Sequence, residues 1–254
     1  MDVKQDIVTP QYKYSRVCIP SKAFLETNAL EPIPFGCGCL KSCEDEEICL
    51  CLAQHNCLYV DDHLCDLINK EPLFECNECC SCSDECRNRL VQLGSKYVFQ
   101  VFQTENKGFG LKSSMHVTKG SFVIEYVGEL LTETEAKTRI SKYTSHSSCY
   151  LYALREFFGN KKTSHFIDAS KVGNESRFIN HSCDPNLIMI PVRANTLFPH
   201  FALFALKDIP IGNELTFDYG VRHMDIVDEQ KQCECFCNSS NCCGVLPFDQ
   251  SLFL

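Results

Sequence analysis

Short apolar runs alternate with Gly, Asn and Pro between residues 95 and 220, and this pattern predicts a mainly β fold. The runs are rich in β-branched and aromatic residues, which favour a pleated, half-buried backbone. None approaches the roughly 18 apolar residues that a membrane span requires. We predict strands at residues 97–103, 121–126, 150–154, 187–193, 201–206 and 214–217.

One helix is signalled by a polar pair. Thr132 and Glu135 have the spacing of a capping box, in which each side chain accepts a hydrogen bond from the other residue's backbone amide. We therefore predict that a helix follows this pair at residues 136–142.

Composition divides the chain into four segments. Residues 1–35 lack the acidic, cysteine-rich character of the next segment, and we expect an N-terminal lead-in that packs on the main body. Residues 36–94 are rich in cysteine, residues 95–220 have the composition of a conventional domain, and residues 221–254 form a tail that returns to cysteine. The first ten residues, MDVKQDIVTP, have no apolar core, so no secretory signal is expected there.

Negative charge is concentrated beside the first cysteines. The net formal charge is −9, and residues 36–94 hold 12 acidic and 4 basic residues, a local balance of −8. Such a chain is a poor ligand for phosphate backbones, which opposes a zinc-dependent DNA-binding protein and predicts no direct sequence-specific nucleic-acid binding. It suits a basic peptide, which it would attract electrostatically, although the acidic segment could equally be a solvated face.

The cysteines are too clustered to be ordinary core residues. Of 20, twelve lie between Cys37 and Cys86 and five between Cys233 and Cys243. With no secretory signal expected, clustered thiols indicate metal binding. A disulfide framework is the alternative, and the Cys-x-Cys pairs oppose it because bonded geometry is awkward for them.

Nine cysteines in the first cluster suit a shared zinc site. Three zinc ions with four ligands each can be served by six terminal and three bridging thiolates. No ligand position then stays open, so the cluster would stabilise the fold and perform no reaction. We read Cys57, Cys65 and Cys79 as free thiols or packing residues. The predicted ligands are Cys37, Cys39, Cys43, Cys49, Cys51, Cys76, Cys80, Cys82 and Cys86.

The tail supplies three further ligands, Cys235, Cys237 and Cys242. The isolated Cys183 is the natural fourth, and one zinc would then fold the tail over the site that Asn180 and His181 line. Cys233 and Cys243 compete as ligands in a shifted register.

Four motifs give the chain a family resemblance. They are KGFG at 107–110, EYVGE at 125–129, RFINHSCDPN at 177–186 and ELTFDYG at 214–220. In this order, and flanked by both cysteine patterns, they resemble the SET-domain protein lysine methyltransferases of the Suppressor-of-variegation type, with pre-SET and post-SET zinc modules. The resemblance covers about residues 36–250.

The resemblance implies a fold, an activity and partners. The SET fold is a set of small curved β-sheets with a C-terminal pseudoknot, flanked by zinc–cysteine modules. The reaction moves methyl groups from S-adenosylmethionine to a lysine, most often lysine 9 of histone H3, in the nucleus and on the chromosome. The implied partner is therefore a histone tail peptide. Another histone lysine, a non-histone protein, or a catalytically silent zinc-bound tail binder remain alternatives.

Residue roles are likewise implied by the resemblance. Tyr219 occupies the position of the catalytic tyrosine, and Tyr126 would line the pocket. Phe217 occupies a position where the family carries Phe or Tyr, and Phe leaves room for di- or trimethyl products. Taken alone, Tyr219 reads as a core aromatic, His181 as a structural histidine and Asn180 as a turn residue. The implied catalytic set is Tyr219, Phe217 and Tyr150, and the implied cofactor set is Gly108, Phe109, Gly110, Tyr150, Arg177, Asn180 and His181.

Overall fold

A computed structural model describes residues 11–43, 49–53, 59–64, 67, 73–142, 149–159, 161–220 and 233–247. Within these ranges no helix has the length and hydropathy needed to cross a bilayer. The predicted surplus cysteines Cys57 and Cys65 lie outside the described residues.

The described chain is mainly β, as predicted. Its helices are α1 (Lys22–Leu25), α2 (Leu50–Ala53) and α3 (Glu133–Ile140), and short 3₁₀ turns cover Arg87–Arg89 and Glu175–Phe178. Its strands are β1 (Lys13–Tyr14), β2 (Ile19–Pro20), β3 (Tyr59–Val60), β4 (His63–Leu64), β5 (Leu73–Phe74), β6 (Phe99–Gln103), β7 (Phe109–Ser113), β8 (Phe122–Glu125), β9 (Glu129–Leu131), β10 (Leu151–Phe158), β11 (Lys161–Asp168), β12 (Val172–Gly173), β13 (Asn180–His181), β14 (Leu187–Arg193), β15 (His200–Ala205) and β16 (Thr216–Phe217).

Small sheets divide these strands. One has the order β10-β11-β9-β2, and a larger one has the order β13-β16-β14-β15-β8, with β5 paired to β14. The pairs β6–β7, β3–β4 and β1–β12 form separate ribbons. Apolar residues of β7, β8, β14 and β15 meet in a shared core around Leu111 and Leu203, both fully buried.

All six predicted strands are present, five of them with one or both ends shifted, and three strands longer than two residues, β7, β9 and β11, were missed. β14 spans the predicted residues, whereas β10 continues four residues beyond its predicted end. β11 was missed because it begins with the polar run KKTS, and its strand conformation depends on pairing with β10 along the full length of the hairpin. β7 and β9 likewise depend on pairing with neighbouring strands.

The predicted capping box is confirmed. The Thr132 hydroxyl accepts a hydrogen bond from the Glu135 amide at 3.3 Å, and the Glu135 carboxylate accepts one from the Thr132 amide at 3.0 Å. The helix begins at Glu133, three residues before its predicted start, because the cap immediately precedes the first helical residue.

The C-terminal strand of the SET segment is threaded between earlier parts of the chain. β16 lies between β13 and β14 and pairs with both in parallel. Asn186 secures it, because its amide nitrogen donates to the carbonyl of Glu214 at 2.8 Å and its amide oxygen accepts from the Thr216 amide at 2.9 Å. This insertion is the expected pseudoknot, and it brings the 177–186 and 214–220 motifs side by side.

A buried ion cluster joins β10, β11 and β14 away from these motifs. The Arg193 guanidinium donates two hydrogen bonds to the Glu156 carboxylate, at 3.0 and 2.6 Å, and His165 lies 3.0 Å from the same group. Burial alone would raise the pKa of Glu156, but the hydrogen bonds from His165 and Arg193 outweigh burial and lower that pKa to about 2.

Glu156→Gln should destabilise the protein by about 3–5 kcal/mol at neutral pH, because it removes the negative charge that accepts two hydrogen bonds from the buried Arg193 guanidinium. A depressed folded-state pKa stabilises above the unfolded value of 4.5 and loses that effect as pH falls toward about 2. The difference in unfolding free energy between wild type and variant should therefore shrink across this window. Denaturant titrations at several pH values measure it, and parallel curves for the two proteins would refute the assignment.

Candidate active site and zinc centres

The nine predicted ligands of the first cluster come together. Seven are buried, and Cys51 and Cys80 pack against them. Among the described residues, the sulfur atoms form three groups of four in which all members lie within 4.8 Å of one another. The groups are Cys37/Cys43/Cys76/Cys82, Cys37/Cys51/Cys76/Cys80 and Cys37/Cys39/Cys43/Cys49.

The overlap between these groups identifies the thiolates that can bridge. Cys37 belongs to all three groups, and Cys43 and Cys76 each belong to two. The three groups contain eight of the nine predicted ligands, and three of these eight sulfurs are shared between groups, as joined tetrahedral sites require, so the donor set fits zinc. Cys86 is buried in the same cluster but belongs to none of the three groups. The surplus Cys79 is exposed and belongs to none of the groups.

The tail site has the predicted composition. The sulfur atoms of Cys183, Cys235, Cys237 and Cys242 lie within 4.8 Å of one another. Asn241 reinforces the contact, since its side chain donates to the carbonyl of Cys183 at 3.0 Å. Four thiolates suit one structural zinc, which attaches the tail to the 177–186 motif in the preferred register.

The KGFG segment forms a turn that is tied to Asn180. Gly108 has φ of +69°, in the left-handed region that favours glycine. The Asn180 side chain donates to the carbonyl of Phe109 at 3.0 Å and to the Glu214 carboxylate at 2.8 Å. Lys107 completes the link with a 2.6 Å ion pair to Glu214. The turn and the pseudoknot are thereby held together.

His181 connects the site to the tail zinc. Its Nδ1 accepts a hydrogen bond from the backbone amide of Tyr219 at 3.2 Å, and its Nε2 lies 3.3 Å from the sulfur of Cys183. An amide can only donate, so Nδ1 is the acceptor and Nε2 carries the proton that faces the thiolate. The neutral ring therefore bridges a zinc ligand and the ELTFDYG segment.

Arg177 is buried beneath Tyr150. The guanidinium carbon lies 3.9 Å from the centre of the Tyr150 ring. Its Nε donates to the carbonyl of Ala169 at 2.9 Å and its Nη2 to that of Ser170 at 3.3 Å. Nη1 is buried and has no hydrogen-bond partner within the described part of the chain. A buried donor without an acceptor is unfavourable, so the site fits a ligand that supplies one.

Four aromatic rings pack together beside this site. Phe217 is fully buried, with its ring centre 4.9 Å from that of Tyr219, 5.4 Å from Tyr152 and 6.5 Å from Tyr126. Tyr152 was not predicted as a site residue, although its position two residues after Tyr150 in the strand predicted at 150–154 is the signal that could have found it.

The tyrosine hydroxyls are fixed by backbone carbonyls. Tyr219 donates to Ile179 at 2.9 Å, and Tyr126 donates to Tyr150 at 2.7 Å. Burial raises the pKa of Tyr219, reinforced by the nearby Cys149, and burial likewise raises the pKa of Tyr126. Both phenols therefore stay protonated and serve as hydrogen-bonding groups.

Every residue of the implied catalytic and cofactor sets lies in this one region. The turn and Asn180 form one side, Arg177 and Tyr150 another, and His181 connects to Tyr219 beside the aromatic rings. A cluster of four aromatic rings lies beside a group of polar side chains that includes one unsatisfied donor. Such an arrangement suits an alkyl amine beside a polar cosubstrate.

Comparisons with known proteins agree with this geometry. The SET domain profile matches residues 108–220, and the Pre-SET motif profile matches residues 1–89. The histone-lysine N-methyltransferase SETMAR of Rattus norvegicus is 42% identical in an alignment of 234 positions that covers 86% of this chain and 74% of that protein. The match agrees with the resemblance of residues 74–77, 187–193 and 246–252 to the methyltransferase half of the SET–mariner fusion protein.

Solved structures show the same fold. The methyltransferase domain of human SETMAR superposes with a TM-score of 0.83 at 36% identity, covering 96% of this chain and 92% of that one. KRYPTONITE in complex with mCHH DNA, H3(1–15) peptide and S-adenosylhomocysteine superposes with a TM-score of 0.71 at 29% identity, covering 92% of this chain and 47% of that one.

Proposed function

The chain belongs to the SET-domain protein lysine methyltransferases with zinc-binding cysteine modules, and from this premise we propose that it methylates histone tails, with lysine 9 of histone H3 as its target. We propose di- or trimethyl-lysine as the product and the chromosome, within the nucleus, as the place of action. The observation that carries the proposal is the cluster of the Tyr126, Tyr152, Phe217 and Tyr219 rings, which we propose as the aromatic pocket, beside the polar side chains at Asn180, which we propose as the polar pocket.

The polar pocket suits S-adenosylmethionine, which supplies an electrophilic methyl group when it is bound. The turn at Gly108 lets the backbone approach a ligand closely. Asn180 and His181 would orient the ligand, and Arg177 would donate to it from Nη1. These residues bind and align, and alignment alone can supply several kcal/mol of a transfer barrier.

The aromatic pocket would favour the neutral form of the lysine amine. A free lysine has a pKa of about 10.4, so deprotonating it at neutral pH costs roughly 4–5 kcal/mol. Four rings that exclude water lower this cost, because desolvation disfavours the ammonium form. The Tyr219 hydroxyl would then orient the neutral amine toward the methyl group. Neither buried phenol needs to act as a base.

The peptide has an available sheet edge. β10 is the outer strand of its sheet and, among the described residues, has a strand partner on one side only. An extended tail could add to this edge through main-chain hydrogen bonds, with alternate side chains facing the pocket that Tyr152 lines. The net charge of −9 would attract a basic tail.

Phe217→Tyr should shift the products toward monomethyl-lysine. The added hydroxyl would enter the space between the rings of Tyr152 and Tyr219, now 5.4 and 4.9 Å from the Phe217 ring, and would occupy room that a methylated amine needs. Mass spectrometry of a methylated peptide resolves the three states. An unchanged product distribution would refute the assigned role of Phe217.

A matched pair of peptides tests the substrate. The zinc-loaded protein is incubated with S-adenosylmethionine and either an H3 tail peptide or the same peptide with arginine at position 9. Methylation of the first peptide alone is the expected result. Equal methylation of both would place the target at another lysine. Methylation of neither, with cofactor binding intact, would favour a non-histone substrate, and loss of cofactor binding as well would favour a silent tail binder.

A further inference from the structure

We propose that Tyr12, in the N-terminal lead-in, is a positioning residue of the cofactor pocket and acts by holding Arg177 against Tyr150. The inference rests on the proposed function, because it takes Arg177 as a cofactor-binding residue. It assigns to the lead-in a contribution to cofactor affinity in addition to its contribution to the fold.

The Arg177 guanidinium is covered by aromatic rings. Its central carbon lies 4.4 Å from the Tyr12 ring centre and 3.9 Å from that of Tyr150. Phe178 lies 5.1 Å from the same carbon. Cation–π contacts at these distances are attractive, and they are stronger where water is excluded. Arg177 is 5% exposed, so this condition is met.

Backbone pairing sets the position of Tyr12. The Lys13 amide donates to the carbonyl of Lys171, and the Ser15 amide donates to that of Gly173, both at 2.8 Å. These bonds align β1 in parallel with β12, a few residues before Arg177. The backbone hydrogen bonds of the lead-in therefore fix the main chain next to Tyr12 and place its ring against the guanidinium.

These contacts leave Nη1 as the guanidinium nitrogen that can donate to a ligand. Hydrogen bonds to Ala169 and Ser170 take up Nε and Nη2, and the stacked rings restrict access to the plane. Nη1 is the nitrogen left over, without a partner among the described residues. Without the Tyr12 ring, the guanidinium could rotate and hydrate. We therefore expect the cofactor to lose a preorganised donor when Tyr12 is replaced.

A second contact leads from Tyr12 to the cofactor turn. The Tyr12 and Phe178 rings meet edge to face at 5.9 Å between centres, and Phe178 meets Phe109 in the same way at 5.9 Å. Phe109 belongs to the KGFG turn, so one tyrosine supports both sides of the proposed pocket.

The test compares Tyr12→Leu with Tyr14→Leu in the full-length, zinc-loaded protein. Tyr14 lies two residues after Tyr12, in β1, and is 53% exposed, which makes it a matched control. Calorimetry should show S-adenosylmethionine binding about tenfold more weakly to Tyr12→Leu and unchanged to Tyr14→Leu. The KM for S-adenosylmethionine should rise in Tyr12→Leu while the KM for the peptide stays constant. Tyr12→Phe, which keeps the ring, should restore binding.

Fluorinated phenylalanines at position 12 separate positioning from packing. Fluorine withdraws electron density from the ring face at nearly constant shape, so cofactor affinity should fall stepwise with fluorine number while thermal stability without cofactor changes little. The fluorinated series tests the inference even if Tyr12→Leu fails to fold. Constant affinity across the series, or equal effects of Tyr12→Leu and Tyr14→Leu, would overturn the inference alone. Absence of cofactor binding by the wild type would overturn the proposed function and the inference with it.

Discussion

Tyr219→Phe should lower kcat for lysine methylation by about 10²–10³-fold while leaving cofactor affinity nearly unchanged. The hydroxyl is the only group removed, and it donates to the Ile179 carbonyl at 2.9 Å inside the aromatic pocket. The ring that remains keeps its packing on Phe217 at 4.9 Å and on His181 at 5.4 Å. The loss should therefore appear in the chemical step, because binding contacts persist and amine orientation does not.

Tyr59→Phe is the matched control for this substitution. Tyr59 is also a buried tyrosine whose hydroxyl donates a hydrogen bond, here to Glu75 at 2.9 Å, but it lies in the cysteine-rich module. Its variant should lose stability and keep kcat at temperatures where it is folded. Single-turnover methylation with saturating cofactor compares the rate of the chemical step in the two variants, and thermal unfolding measures their stability. Equal kcat values for wild type and Tyr219→Phe would remove Tyr219 from the mechanism.

Cys76→Ser should abolish folding of the first zinc module and, with it, activity. The Cys76 sulfur belongs to two of the three sulfur groups, so its loss removes a ligand from two adjoining zinc sites. Structural zinc contributes about 10–16 kcal/mol of apparent binding free energy in small modules, and this energy is folding energy. Among the described residues, the cluster around these sulfurs contains one large apolar side chain besides the cysteines, Leu52, so little packing remains to compensate.

Cys79→Ser is the control, since Cys79 is exposed and belongs to none of the sulfur groups. Metal analysis should find about four zinc ions per chain in this variant and in the wild type, and fewer in Cys76→Ser. A chelator should unfold the wild type and abolish methylation. Full activity of zinc-stripped protein would contradict the structural role of the metal.

The zinc ligands were predictable because ligand chemistry is local in sequence. Cysteines in a Cys-x-Cys pattern can hardly bond to each other, and their number fits only shared sites, so spacing alone indicated the cluster. The capping box of Thr132 and Glu135 was predictable for the same reason, since both partners lie within one turn. Asn180, His181 and Tyr219 required the family resemblance, because each residue alone reads as a structural residue.

The remaining features depend on contacts between distant segments. Tyr152 reaches the pocket only because β10 pairs with β11, and the polar start of β11 gave no strand signal. The ion cluster of Glu156, His165 and Arg193 joins three strands, so no sequence window contains it. Tyr12 meets Arg177 across more than 160 positions of sequence through the pairing of β1 with β12.

Lysine methylation by this chain is tested most simply by transfer of an isotope-labelled methyl group from S-adenosylmethionine to core histones. The zinc-loaded protein is used, and the labelled residues are located by mass spectrometry. We predict label on lysine, concentrated at lysine 9 of histone H3, and an initial rate of labelling about 10²–10³-fold lower with Tyr219→Phe. Cofactor binding without label on any lysine, or an unchanged rate of labelling with Tyr219→Phe, would contradict the proposed mechanism.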